Sequence, residues 1–167
     1  MAKRESSWDD QNIDPVDIQS SDLNSLRDVM HIMERSFPKT YGESWNHHQC
    51  RSMLSMPSAK LLIARRRDEV CGFIISRQAA DEEELLMIAV SPECQGKGVG
   101  YSLLRHMIEE ARKLEVSAVF LEMRAGNPAE NLYIKFGFEQ IGLRKAYYTG
   151  VNMEKFDAVT YKAVISA

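Results

Sequence analysis

Cysteine is scarce in this chain. Among 167 residues there are three, Cys50, Cys71 and Cys94, an odd number with no C-x-x-C spacing, which speaks against a disulfide framework or a thiolate zinc site. A reducing compartment is the expectation. No apolar run approaches the roughly 20 residues of a membrane helix, and the opening Met1, Ala2, Lys3, Arg4, Glu5 lacks the apolar segment of a signal peptide. A cytoplasmic protein without membrane contact is therefore expected. Long basic stretches are also missing: Arg65, Arg66 and Arg67 form the densest cluster, and 21 Lys and Arg against 24 Asp and Glu leave a net charge of -3. That balance offers no electrostatic grip on nucleic acid, and the arginine triplet reads as the solvated end of a strand. His47, His48 and Cys50 invite a metal reading, but neighbours on a helix point about 100° apart and no distant ligand is evident, so no metal is expected. Repeats and low-complexity tracts are absent, and no feature specifies an oligomer.

What is present is globular: 44% hydrophobic and 27% charged residues, in a length that suits one domain with a proper core. Residues 1–14 are polar, aperiodic and end before Pro15, so they read as a mobile tail ahead of a single domain over 15–167. Residues 16–18 suit a short strand. Ser20, Ser21 and Asp22 then offer caps to a helix with Leu23, Leu26, Val29, Met30 and Met33 at helical spacing. A second helix is predicted over 45–56. Three strand-like runs follow, at 60–66, 70–78 and 83–90, separated by polar turns as in an antiparallel meander. Val99, Leu103, Met107 and Ala111 recur every fourth residue, with Leu104, Ile108 and Leu114 widening the stripe of a helix that packs on the sheet. The strand at 116–124 lies across that helix from 83–90, the connection by which parallel neighbours are joined. A short helix over 127–135, capped by Asn127 with Pro128 at its first position and closed by Gly137, precedes final strands at 138–145 and 153–165.

The most informative letters are Gln95, Gly96, Lys97, Gly98, Val99 and Gly100, set between a buried-strand pattern and an amphipathic helix. Glycines let a backbone approach a ligand closely, and the unpaired N–H groups that open a helix favour an anion. The loop reads as a pyrophosphate cradle. It is not a P-loop, because Lys97 is followed by Gly98 and Val99 rather than by a hydroxyl residue, and Tyr101 replaces the third glycine of a dinucleotide fingerprint. A turn that merely starts a helix is the plain alternative.

Gln95, Gly98 and Gly100 form Q-x-x-G-x-G, preceded by Ala89, Val90, Ser91 and Pro92, and this resembles the acetyl-CoA loop of the GNAT acetyltransferases. The run from Leu121 through Glu122, Met123, Arg124, Ala125 and Gly126 to Asn127, then Leu132 with Tyr133, Phe136 to Phe138, and Arg144 to Tyr148, looks like the RimI group within that superfamily. RimI enzymes acetylate the N-terminal alanine of a ribosomal protein. The resemblance implies a mixed α/β GNAT fold: a central, mostly antiparallel sheet with a parallel pair at the coenzyme site, flanked by helices. It also implies acetyl-CoA as cosubstrate and a protein or peptide N-terminus as acceptor.

An α-amino group with a pKa of roughly 7.7 to 8.0 must lose a proton before it attacks a thioester. Glu122 is the candidate base, a carboxylate inside the apolar run from Val119 to Met123, where burial disfavours the charged form; the resemblance assigns it that role through a water. It could instead cap a strand end or pair with Arg124. Tyr133 is by the same resemblance the acid that protonates the departing thiolate; helix packing is its alternative. The interval from Glu122 to Tyr133 is eleven residues, one fewer than in RimI, and the turn around Gly126 to Pro128 is expected to absorb the difference.

The resemblance further implies that the backbone of Ile88, Ala89 and Val90 binds the pantetheine arm, that Asn127 contacts that arm, unless it simply caps its helix, and that Tyr147 and Tyr148, in a loop before the last strand, line the acceptor's path. Asp81, Glu82, Glu83 and Glu84 could draw in a cationic N-terminus, although such a run is more often a solvated turn. Cys94 is assigned no role. Two other functions remain open at this point: acetylation of a small-molecule amine, and a non-catalytic acyl-CoA sensor, for which the shortened interval is the motive.

Overall fold

The structure is a computed structural model that describes residues 15–165; the stretch 1–14 read as a mobile tail lies outside them. Helix α1 (Leu26–Ser36) follows a 3-10 turn at Leu23–Ser25 that Asp22 caps by accepting from the Asn24 N–H at 2.8 Å. Leu26, Val29, Ile32 and Met33 are its buried stripe. It ends where Phe37 turns extended ahead of Pro38, because a residue before proline is pushed out of the helical region. Helix α2 (His47–Leu54) is shorter than the predicted 45–56. Its start is fixed by a capping box: the Asn46 side chain accepts from the Gln49 N–H at 2.9 Å and the Gln49 side chain from the Asn46 N–H at 2.8 Å, worth about 1 kcal/mol. Cys50 is fully buried while His47 and His48 are exposed, so these three side chains do not converge.

Strands β1 (Asp17–Ser21), β2 (Ala59–Arg66), β3 (Glu69–Ala79), β4 (Glu82–Val90), β5 (Ala118–Arg124), β6 (Glu139–Thr149) and β7 (Lys155–Val164) form one sheet in the order β1-β2-β3-β4-β5-β7-β6. The predicted meander is β2 to β4, and β4 with β5 is the parallel pair, joined across helix α3 (Val99–Lys113). All other pairings are antiparallel. The acidic run at 81–84 is mostly strand, not the solvated turn expected. Glu83 is buried because it has partners, accepting from the Ser76 hydroxyl at 2.7 Å and from Lys60 at 3.0 Å.

Two apolar layers sandwich the sheet. On one face α3 packs Val99, Leu103, Leu104 and Met107 against Ile74, Leu85, Val119 and Leu121. On the other face α1 and α2 cover Leu61, Ile63, Phe73, Ile75, Met87 and Ala89, and this cluster ends at β4. A bulge in β4 links the layers: Ile75 faces Met87 and Ser76 faces Leu85, which leaves Leu86 as an extra residue. One extra residue inverts the pleat. Leu85 therefore lies in the α3 layer, whereas Met87 and Ala89 lie under α1. The pairing with β5 runs from Glu82 opposite Ala118 to Leu85 opposite Leu121 and stops there. Past the bulge the parallel strands part.

The loop between α1 and α2 is bolted to the β6–β7 hairpin. A Cβ at Gly42 would run into the Thr149 carbonyl and one at Gly150 into the Thr40 carbonyl, and Val151 N–H donates to Thr40 at 3.3 Å. Gly42 also has a φ of +66°, so Gly42→Ala should cost about 1–3 kcal/mol. Gly137, with φ +80° but open space around it, serves as the comparison. Urea denaturation of Gly42→Ala and Gly137→Ala should show the larger loss at Gly42; equal losses would mean that the loop is not anchored there.

Candidate active site

Where β4 and β5 separate, a cleft of about 780 Å³ opens, lined on one side by Val90, Gln95, Gly100 and Leu132 and on the other by Phe37, Tyr41, Glu43 and Tyr148. The glycine segment stands at its rim. Gly98 takes φ +78° as the N-cap of α3, and among the described residues no side chain caps that helix, so its first N–H groups keep their donor capacity and the helix dipole behind them. Gly96 takes φ +72° with open space where a side chain would be. The Val99 side chain is core, which leaves its amide as the group it can offer a ligand. Lys97 is exposed. Gln95 turns inward, its amide donating to the Val90 carbonyl at 3.0 Å, where the Ser36 hydroxyl also donates at 2.9 Å. These two bonds clamp the end of β4.

Ser91 N–H donates to the Cys71 carbonyl on β3 at 2.9 Å. By the alternation of an antiparallel ladder, the main-chain groups of Ile88 and Val90 point into the cleft while those of Ala89 point to β3. Asn127 lies in the wall but does not start a helix. Helix α4 (Glu130–Lys135) begins three residues later than predicted, with Ala129 at its N-cap. The reason is local: the Asn127 side chain accepts from the Ala129 N–H at 3.0 Å and its carbonyl from the Glu130 N–H at 3.1 Å, which closes a turn of its own before the helix.

Glu122 lies on the face of β5 opposite Leu121 and Met123, its side chain 19% exposed. Its partner is not Arg124. The Glu122 carboxylate sits 3.2 Å from Arg144 Nε and accepts from the Thr160 hydroxyl at 3.2 Å, because Thr160 is its register neighbour on β7. Arg124 instead crosses to the α1–α2 loop, with its guanidinium 3.7 Å from the centre of the Tyr41 ring and its Nε 3.4 Å from Glu43.

Tyr133 is 5% exposed, meets Phe138 edge to face at 5.8 Å and lines the cleft. Tyr147 and Tyr148 are not in a loop but inside β6, in a T-shaped pair at 5.1 Å. Four steps from Arg144 to Tyr148 oppose two from Ala158 to Phe156, and this bulge, with Ala146 at φ +54° and its N–H on Asp157 at 2.8 Å, turns the pair toward the cleft. Tyr147 remains exposed while Tyr148 is half-buried. Glu43 and Tyr41 were missed by the sequence reading: they sit in an aperiodic loop, and only Gly42 between them marked a special backbone.

This architecture, a sheet split beside a glycine-opened helix start, is that of the acetyltransferases, and residues 26–138 match the acetyltransferase (GNAT) family. The chain belongs to that family, whose members use acetyl-CoA, and it is an acetyltransferase. It is 31% identical over 137 residues to the ribosomal protein bS18-alanine N-acetyltransferase of Escherichia coli K12, covering 78% of this chain and 86% of that one. The crystal structure of the ribosomal-protein-S18-alanine N-acetyltransferase from Escherichia coli superposes with a TM-score of 0.82 at 29% identity, over 92% of this chain and 96% of that one. Ard1 from Thermoplasma volcanium shares the fold, with a TM-score of 0.78 at 20% identity over 91% and 99% of the two chains.

Burial is the main cause that pushes the Tyr148 phenol up to about 12, with the charges of Glu122 and Glu43 adding to it, and it pushes Tyr133 higher still. Tyr161, bonded to Glu130, is likewise pushed up to about 12. A raised folded-state value means the native protein holds these protons while an unfolded chain loses them near 10. Their contribution to stability is thus whole below pH 10 and is lost as pH rises toward 12. Ultraviolet titration should find these three of the six tyrosines still protonated near pH 11, ionising only as the fold is lost. Smooth ionisation of all six near pH 10 would contradict this placement.

Proposed function

We propose that the enzyme transfers the acetyl group of acetyl-CoA to the α-amino group of a protein N-terminus, that of a ribosomal protein as its relatives' names describe. The observation that carries this is the two-sided cleft: a main-chain and glycine surface on one side and, through the same opening, a groove with Glu122, Tyr133 and Tyr148 on the other. A single domain over 15–167, working in the cytoplasm where such acceptors are made, suffices for the reaction.

The loop at 95–100 supplies amides to the coenzyme's diphosphate, and Lys97 adds a positive charge at the rim. The cleft-facing groups of Ile88 and Val90 meet the pantetheine amides as a neighbouring strand would, and one of these N–H groups polarises the thioester carbonyl. Ala89 contributes through its place in the strand, and Asn127 holds the turn against which the arm lies. Glu122, fixed by Arg144 and Thr160, takes the proton of the acceptor's ammonium through a water. The neutral nitrogen then attacks the thioester carbon. As the tetrahedral intermediate collapses, the C–S bond breaks, Tyr133 gives its proton to the sulfur, and the proton that the attacking nitrogen must still lose leaves through water and restores the phenol; a phenol pushed up by burial is protonated at working pH and is a donor rather than an anion. Tyr147 and Tyr148 hold the acceptor's first residues.

Glu122→Gln and Tyr133→Phe should each lower kcat roughly 100-fold or more while leaving the Kd for acetyl-CoA unchanged. The direct test is turnover on a panel of peptides beside a panel of polyamines, amino sugars and free amino acids. Peptide acetylation supports the reading. Turnover of small amines alone would replace the acceptor, and tight coenzyme binding without any turnover would leave an acyl-CoA sensor.

A further inference from the structure

Glu122 is held by one of its two oxygens. The Thr160 hydroxyl donates to Oε2 at 3.2 Å, and Arg144 Nε stands 3.2 Å from the same atom. Oε1 takes no donor among the described residues and, unlike Arg124 Nε, is not a buried atom without a partner. Because Glu122 lines the cleft, this second oxygen is the one left open to a water there. An ionised carboxylate accepts at both oxygens, so tying one of them directs the other.

The cation at Glu122 comes from two strands away. Arg124, on the same face of β5, is drawn off to Glu43 and Tyr41, and Arg144 reaches in from β6 instead. Thr160 is the register neighbour of Glu122 on one side and of Gly142 on the other; Gly142 has no side chain to compete for the carboxylate, and Arg144 lies two residues further along the same face. The bulge that follows brings Tyr147 back against it, with the guanidinium 5.2 Å from the ring centre. Arg144 thus meets the carboxylate at one end and an aromatic of the cleft wall at the other. Its side chain is 62% exposed and Tyr147 is 52% exposed. An ion pair this wet contributes little, whereas one covered from solvent is screened far less.

We propose that Arg144 is a positioning residue that couples acceptor docking to the base: the acceptor, seated on Tyr147, covers the guanidinium, and the covered guanidinium keeps Glu122 ionised with Oε1 aimed at the relaying water. This rests on the reading of Glu122 as base and of a peptide N-terminus as acceptor. The ammonium gives a proton to the water, the water gives one to Oε1, and Arg144 keeps its charge throughout. The charged and titratable groups around this corner are Glu122 and Arg124 from β5, Arg144, Tyr147 and Tyr148 from β6, Tyr133 from α4 and Glu43 from the α1–α2 loop, while β7 brings the neutral Thr160. Glu43 is offset by Arg124, and burial keeps the Tyr133 and Tyr148 phenols protonated, which leaves Arg144 to set the charge on Glu122.

The test is the pH profile of kcat on a peptide that begins with alanine, with peptide and acetyl-CoA both saturating. Losing a neighbouring cation raises a carboxylate's pKa and also that of a bound ammonium, so Arg144→Gln should move the acidic limb up by about one pH unit, a roughly 10-fold loss of rate below the limb, with the Kd for acetyl-CoA unchanged. Arg144→Lys keeps the charge and should recover most of the shift. Tyr147→Ala should move the limb in the same direction by less, and adding it to Arg144→Gln should move the limb little further, because the two act as one unit. An unmoved limb with kcat lowered equally at every pH would make Arg144 a support of the strand, and strictly additive shifts would separate it from Tyr147; either result overturns the proposal. Glu122→Gln with wild-type turnover would overturn the base reading itself, and that outcome needs no Arg144 variant to be seen.

Discussion

The parallel pairing of β4 with β5 lasts for four residues, and the site exists because it stops there. A strand buried in a sheet must satisfy its main-chain donors and acceptors on both edges. Up to Leu85, β4 does so with β3 and β5; from the Leu86 bulge onward it keeps β3 alone. An unpaired edge inside a protein is costly unless something polar takes it up. Here the Val90 carbonyl is taken by Ser36 and Gln95, and the groups of Ile88 remain turned to the cleft. In the proposed function, coenzyme binding and strand pairing are the same interaction with a different partner, and that recognition would need backbone rather than particular side chains at 88–90.

The bulge has a second consequence. Because it inverts the pleat, Met87 and Ala89 face α1 while Ile88 and Val90 face α3. The α1–α2 pair ends over β4, and the side chains of β5 on that face, Glu122 and Arg124, line the cleft. The same cleft is closed from above by a loop tied to the strands through close glycine contacts and the Arg124–Tyr41 stack. Charges inside it occur in opposed pairs, Glu122 with Arg144 and Glu43 with Arg124. The cleft therefore presents carboxylates locally without a large field of one sign.

The legible parts of the sequence were those with a period or a breaker. The meander, α3 and the parallel return all announced themselves through apolar alternation or a four-residue stripe, and the glycines at 96–100 marked the helix start. What was not legible depends on pairings between distant segments. Tyr147 and Tyr148 read locally as loop; the strand continues through them because Tyr148 and Thr149 pair with Phe156 and Lys155 on β7 and Asp157 ties Ala146 N–H. Arg144 as the partner of Glu122 follows from β6 lying outside β7, a crossing order that no local pattern encodes. Glu83, in a run of acids that reads as solvated, is buried because Ser76 and Lys60 come from two other strands.

The eleven residues from Glu122 to Tyr133 hold a helix whose orientation is set by its contacts. In a rigid helix, losing one residue would swing a side chain by about 100°. Between these two positions, however, the helix occupies only Glu130–Lys135, too short to hold its own orientation in water. Its rotation is instead set by what it buries. Tyr133 packs on Phe138 and lines the cleft, Leu132 reaches the position of Gly100, and Glu130 bonds Tyr161 of β7. Gly126 at φ +80° and the Asn127 turn lead the chain into the helix. The direction of the Tyr133 ring is thus fixed by what the helix buries rather than by the number of residues that separate it from the strand.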